Sequence, residues 1–139
     1  MDESVLSRRQ VTRAGLVAAA GGAALAACSS PSTAASGSPV GAVLAALSDV
    51  PVGSAVAAKD AGAAPVIVAQ PTSGTAVAFS AVCTHMGCQV APAGKQLNCP
   101  CHGSQYDAAT GKVLRGPATK PLPAVEVHVA DGKVVTGPA

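Results

Sequence analysis

The chain has 139 residues, 49% of them hydrophobic but only 1% aromatic, the rings being Phe79 and Tyr106. So few large side chains argue against a large self-sufficient core, because aromatics bury the most area per residue, and they leave almost no stacking platform for single-stranded nucleic acid. A net charge of +2 on 12% charged residues excludes a basic nucleic-acid binder and an acidic disordered tail, while five cysteines point to a disulfide or a metal as a staple.

In chain order, Arg8-Arg9 precede an apolar run from Ala14 to Ala27 that is broken only by glycines. A run of that length is too short to cross a hydrocarbon core of about 30 Å as a helix. The charged-then-apolar layout is that of an export signal, and the adjacent arginines suggest the twin-arginine route. An amphipathic helix is disfavoured, since the run has no polar face. The run ends in Leu25-Ala26-Ala27-Cys28, which resembles a bacterial lipobox. That resemblance implies cleavage before Cys28 and a lipid thioether on its sulfur. Ser29 to Pro39 is small, polar and Pro-punctuated, so it reads as a flexible tether. The expected division is a signal over 1–27, a tether over 28–42 and one folded domain over 43–137.

The domain reads as all-β. Short Val-rich segments bounded by Gly, Pro, Asp and Ser are expected strands: Ala55–Ala58, Pro65–Ala69, Thr75–Ser80, Gln96–Asn98, Lys112–Leu114, Ala124–Val129 and Lys133–Thr136. Val125, Val127 and Val129 alternate with Glu126 and His128, the pattern of a half-buried strand, which places His128 on the solvent face. Asp131-Gly132 reads as a hairpin turn, and Asp107–Gly111 as a second tight turn. Many short strands with evenly spaced turns suggest a sandwich or barrel. Phe79 reads as core support.

Two segments hold every cysteine beyond Cys28: Cys83-Thr84-His85-Met86-Gly87-Cys88 and Cys99-Pro100-Cys101-His102-Gly103-Ser104. A Cys₂His₂ zinc site would use the same ligand types. It would leave two cysteines, Ser104 and Tyr106 unexplained. A catalytic Cys–His pair is weaker, since two such pairs occur with no orienting acid. The two segments closely resemble the Rieske iron–sulfur signature, Cys-x-His on one loop and Cys-x-x-His on the other.

The resemblance implies a Rieske-type antiparallel β-sandwich with a small cluster-binding subdomain of two loops and one [2Fe-2S] cluster. Cys83 and Cys99 would ligate one iron, and His85 and His102 the other. Cys88 and Cys101 would form a disulfide between the loops. Ser104 and Tyr106 would hydrogen-bond to a sulfide and to a ligand sulfur, and Gly116-Pro117-Ala118 would cover the cluster as a proline loop. With neutral imidazoles, two ferric ions, two sulfides and two thiolates sum to zero charge, so an electron adds more easily than to a four-thiolate centre. Rieske potentials accordingly span about −150 to +300 mV, and the two hydroxyls favour the upper part. Reduction beside the imidazoles would couple to proton uptake at high pH.

The cysteine pair is similar to that of the Rieske proteins of cytochrome bc-type complexes and of arsenite oxidase, and a disulfide suits an exported domain. Against the bc-type pattern, Met86 stands in place of Leu, and Thr119 in place of the second proline of the Gly-Pro-Ala-Pro loop. The expected function is one-electron transfer on a lipid-anchored bacterial protein at the outer face of the cytoplasmic membrane. The alternative is the iron–sulfur subunit of a quinol-oxidising cytochrome bc-type complex. The implied partners are a redox protein such as a cytochrome b or c, quinol, and the membrane through the lipid anchor. Lys112, Arg115 and Lys120 read as scattered solvated cations.

Overall fold

A computed structural model describes residues 39–139. The expected signal, the lipidation at Cys28 and the tether through residue 38 lie outside the described residues.

The described chain is built from eleven strands and one short 3₁₀ turn: β1 Val43–Ala46, the turn Leu47–Asp49, β2 Ser54–Lys59, β3 Pro65–Thr72, β4 Thr75–Ser80, β5 Ala91–Ala93, β6 Gln96–Asn98, β7 Gln105–Asp107, β8 Val113–Arg115, β9 Ala124–Val125, β10 Val127–Ala130 and β11 Lys133–Thr136. Pairing within the sheets is antiparallel throughout, in the orders β1-β11-β10, β2-β3-β4-β9 and β5-β6-β7-β8. This is the expected Rieske-type antiparallel β architecture.

The side-chain period of two in β3 explains how the three sheets combine. Val66 and Val68 enter one apolar cluster with Val50, Ala78 and Val134, the last from β11. Ile67 and Ala69 enter the other with Phe79, Leu97 and Tyr106, which brings in β6 and β7. β3 is therefore buried on both faces, which suits its unbroken Pro-Val-Ile-Val-Ala run. The middle sheet carries the β1-β11-β10 sheet on one side and the β5–β8 sheet on the other. Cys83 and Cys99 belong to the second cluster, so the metal-ligand candidates grow directly out of that core.

The hairpin turn forms as expected. Asp131 and Gly132 both adopt positive φ, 49° and 69°, and Ala130 faces Lys133 across it. The Asp107–Gly111 turn forms too. The Asp107 carboxylate accepts bonds from the Ala109 and Thr110 backbone and the Thr110 hydroxyl, and the Gly111 N–H donates to the Asp107 carbonyl.

The expected single strand over 124–129 is instead two strands broken at Glu126, whose carbonyl accepts the Gly137 N–H. The break disrupts the expected alternation. Val129 is 37% exposed, while His128 is half-buried with Nδ1 2.9 Å from the Gly137 carbonyl, so it is not a plain surface residue.

Ordered contacts begin ahead of β1. The buried Thr136 hydroxyl donates to the Pro39 carbonyl and accepts the Ala42 N–H at 2.9 Å, fastening the start of the described chain to β11.

Candidate metal centre

The two cysteine-histidine segments form a matched pair of loops. An antiparallel bridge between Val82 and Gln89 closes the first, and the Asn98–Gln105 pair of β6 and β7 closes the second. In each, the leading cysteine N–H donates to the carbonyl five residues on: Cys83 to Cys88 at 2.7 Å, Cys99 to Ser104 at 2.8 Å. In each, the glycine four residues on donates back to the cysteine carbonyl, Gly87 to Cys83 and Gly103 to Cys99. Both glycines need a left-handed backbone, with φ of 79° and 77°. The repeated Cys-x-x-x-Gly spacing thus encodes the same turn twice.

The turns sort the side chains by depth. Cys83 and Cys99 are buried free thiols, 2% and 3% exposed. His85 and His102 lie at the surface, with ring centroids 4.8 Å apart and edge to face. Cys88 and Cys101 form the expected disulfide, which ties one loop to the other. The sulfurs of Cys88, Cys99 and Cys101 all lie within 4.8 Å of one another, but with two of the three consumed in the disulfide this trio is no metal site.

Tyr106, fully buried on β7, reaches across to the first loop. Its hydroxyl lies 3.2 Å from Cys83 Sγ and 3.1 Å from Thr84 Oγ1, and it accepts the Thr84 N–H at 3.2 Å. Burial pushes the Cys83 thiol up, but the Tyr106 hydroxyl, the backbone at His85 and Met86, and Cys99 together bring it below the ordinary thiol value. Such a site favours a thiolate, the form that binds metal. Burial and the contact with Cys83 push the Tyr106 phenol above its ordinary value.

The 116–120 segment is held by both loops. Ser104, fully buried, accepts the Ala118 N–H at 3.0 Å, which leaves its own proton free to donate. From the first loop, the Thr84 hydroxyl donates to the Lys120 carbonyl at 2.6 Å. Gly116 and Pro117 are exposed and Ala118 is buried. Arg115, paired with Gln105 in β8, and Lys120 therefore flank this segment, whereas Lys112 lies at the Asp107 turn. Sequence reasoning missed Thr84. Its only signal was a hydroxyl between two ligand-type residues.

Two buried free thiols, Cys83 with lowered proton affinity, and two surface imidazoles, brought together from paired loops, suit a mixed thiolate–imidazole centre. The two spare cysteines are already bonded to each other, so the donor set fits a [2Fe-2S] cluster with two sulfur and two nitrogen ligands.

The family model for the Rieske [2Fe-2S] domain matches residues 41–126. Among curated relatives, the cytochrome b6-f complex iron-sulfur subunit of Synechococcus elongatus is 53% identical over 62 residues, covering 43% of this chain and 34% of that protein. Subunit 1 of the same name from Trichormus variabilis is 45% identical over 75 residues, covering 52% of this chain and 41% of that protein. The matches thus span about a third to two-fifths of these relatives. Among solved structures, the plasma membrane Rieske protein of the cyanobacterium Synechocystis is 33% identical with a TM-score of 0.54, covering 60% of this chain and 86% of that one. A chain from the complex of reduced oxygenase and oxidized ferredoxin in carbazole 1,9a-dioxygenase is 30% identical with a TM-score of 0.55, covering 68% and 89%. The paired loops, their inter-loop disulfide and these matches lead to one conclusion: the chain belongs to the Rieske [2Fe-2S] domain family and is an iron–sulfur electron carrier with one such cluster.

Proposed function

We propose that Cys83 and Cys99 hold one iron and His85 and His102 the other. The carrier would then work as a lipid-anchored protein at the outer face of a bacterial cytoplasmic membrane. The observation that carries the ligand assignment is the sorting by depth: two free thiols inside and two imidazoles outside, on loops of the same turn.

The bound cluster supplies one-electron redox chemistry. The residues divide the remaining work. Cys83 and Cys99 anchor the cluster to the core. His85 and His102, both at the surface, would hold it where a partner can approach. The Ser104 and Tyr106 hydroxyls would donate to cluster or ligand sulfur, which would stabilise added negative charge and raise the potential. The 116–118 segment keeps water from the remaining side.

The leader supports the location. Arg8-Arg9, the apolar run and Leu25-Ala26-Ala27-Cys28 suit twin-arginine export and lipidation at Cys28, with the residues between Cys28 and Pro39 as tether and the chain from Pro39, already fastened to β11, as the carrier domain. The disulfide suits an oxidising compartment.

A second reading, as the iron–sulfur subunit of a quinol-oxidising cytochrome bc-type complex, is favoured by the b6-f subunits among its relatives. In that reading the partners are a cytochrome b or c and quinol. Isolation of the native membrane complex separates the two: a cytochrome b that co-purifies favours the second, and a solitary carrier the first.

The ligand assignment is tested by metal content and visible spectra of single variants of the purified protein. Cys83→Ser, His85→Ala, Cys99→Ser and His102→Ala should each lose the cluster chromophore, while His128→Ala should keep it. Retention of an unchanged spectrum in any of the four contradicts the assignment.

A further inference from the structure

The Cys99 sulfur has a neighbour that cluster binding does not explain. It is a free thiol within 4.8 Å of both sulfurs of the Cys88–Cys101 disulfide, in a buried position where no competing small thiol has easy access. A thiol beside a disulfide can exchange with it through direct sulfur-to-sulfur attack, with no oxidant or reductant.

We infer that the protein without its cluster rearranges this disulfide to Cys88–Cys99, and that the cluster must therefore be in place before the disulfide forms. The inference rests on the reading of Cys99 as an iron ligand, since a metal-bound sulfur is not free to attack.

The step balances within the chain. Cys99 Sγ attacks Cys88 Sγ and forms a new S–S bond. The Cys88–Cys101 bond breaks, and its electron pair leaves on Cys101 Sγ. That sulfur takes up the proton Cys99 gives up. One disulfide is lost and one is made.

Attack at Cys88 is preferred over attack at Cys101. Cys101 is separated from Cys99 by Pro100 alone, so that product would close a small, rigid Cys-Pro-Cys ring. Cys88 lies on the facing loop, and the product still joins the two loops. Its sequence separation is 11 (99 − 88), against 13 for the bond it replaces. The loop-closure entropy is almost the same for both, so little opposes the exchange.

The product is a trap. Cys99 is locked in a disulfide, Cys83 is left as the remaining thiol ligand, and the new free thiol is on Cys101, which is solvent-exposed. A chain oxidised before loading has thus lost one of four ligands while keeping its two loops cross-linked.

The test starts from the full-length, cluster-loaded protein. Iron is removed with a chelator under anaerobic conditions and without added thiol. At timed intervals free thiols are alkylated, and fragmentation mass spectrometry assigns every linkage. The loaded protein should show Cys88–Cys101 alone. The stripped protein should convert to Cys88–Cys99, with label on Cys83 and Cys101, and Cys99→Ser, which carries no cluster and is assayed as purified, should keep Cys88–Cys101. Persistence of Cys88–Cys101 in the stripped wild type, with label on Cys83 and Cys99, overturns the inference. So does random reshuffling in which Cys83 is paired as often as Cys99. Exchange in the loaded protein would instead overturn the assignment of Cys99 to iron. In a second measurement, chain kept reduced while iron and sulfide are added should load its cluster, and chain oxidised beforehand should lose most of that capacity. Equal loading contradicts the required order.

Discussion

Tyr106 is one of two aromatic residues in the chain, and its hydroxyl serves the first cluster loop rather than its own strand. Replacing it by Phe keeps the buried ring and removes the hydroxyl beside Cys83 Sγ. The midpoint potential of Tyr106→Phe should therefore fall, because reduction adds negative charge to sulfur that a hydroxyl no longer stabilises. Potentiometric titration checks this, and an unchanged value would contradict the role. The raised phenol also has a consequence for stability. The folded protein favours the protonated form, so this contribution is complete below the ordinary tyrosine pKa of about 10 and is lost as pH rises through the higher folded value. Denaturant unfolding above that pH should show a steeper alkaline loss in wild type than in Tyr106→Phe. The paired cysteine–histidine loops and Tyr106 were legible in the sequence because their spacing is local and specific. Thr84 was not, because its bonds to Tyr106 and to the Lys120 carbonyl join segments more than 20 residues apart.

At the level of elements, local turn chemistry was readable and long-range pairing was not. Asp131-Gly132 and Asp107–Gly111 announce their turns through residues a few positions apart. Among the described residues, β1 was missed because its partner is β11, some ninety residues on, and Val43–Ala46 has no alternation of its own. β5 was missed because Pro92 sits at its centre, a residue that argues against a strand except at an edge, and β5 is an edge strand. β7 was missed because Gln105–Asp107 is only three residues long, with a single apolar position between two polar ones. Two substitutions test the packing between elements. A Cβ on Gly111 would lie 2.8 Å from the Phe79 ring, so Gly111→Ala should destabilise the protein by about 1–3 kcal/mol, read as a lower unfolding midpoint. Thr136→Val should cost about 1–3 kcal/mol in the same measurement, since it leaves the Ala42 N–H without its side-chain partner.

For the molecule as a whole, the shortage of large side chains has a structural answer. Ala and Val fill two thin apolar clusters on either side of one central sheet, and the outer loops are joined by a disulfide. Cys88→Ser with Cys101→Ser should lower stability by about 2–5 kcal/mol and speed cluster loss, read by denaturant unfolding and by decay of the visible spectrum. The fold class was legible because its strands are short and evenly punctuated. The layering was not, since only the three-dimensional pairing shows that β3 is covered on both faces. The central claim is that one [2Fe-2S] cluster sits between two thiolates and two imidazoles. It is tested most directly by pulsed electron paramagnetic resonance on the reduced, full-length protein. The expected result is strong nitrogen couplings from two imidazoles. A reduced cluster with no directly bound nitrogen would contradict the account.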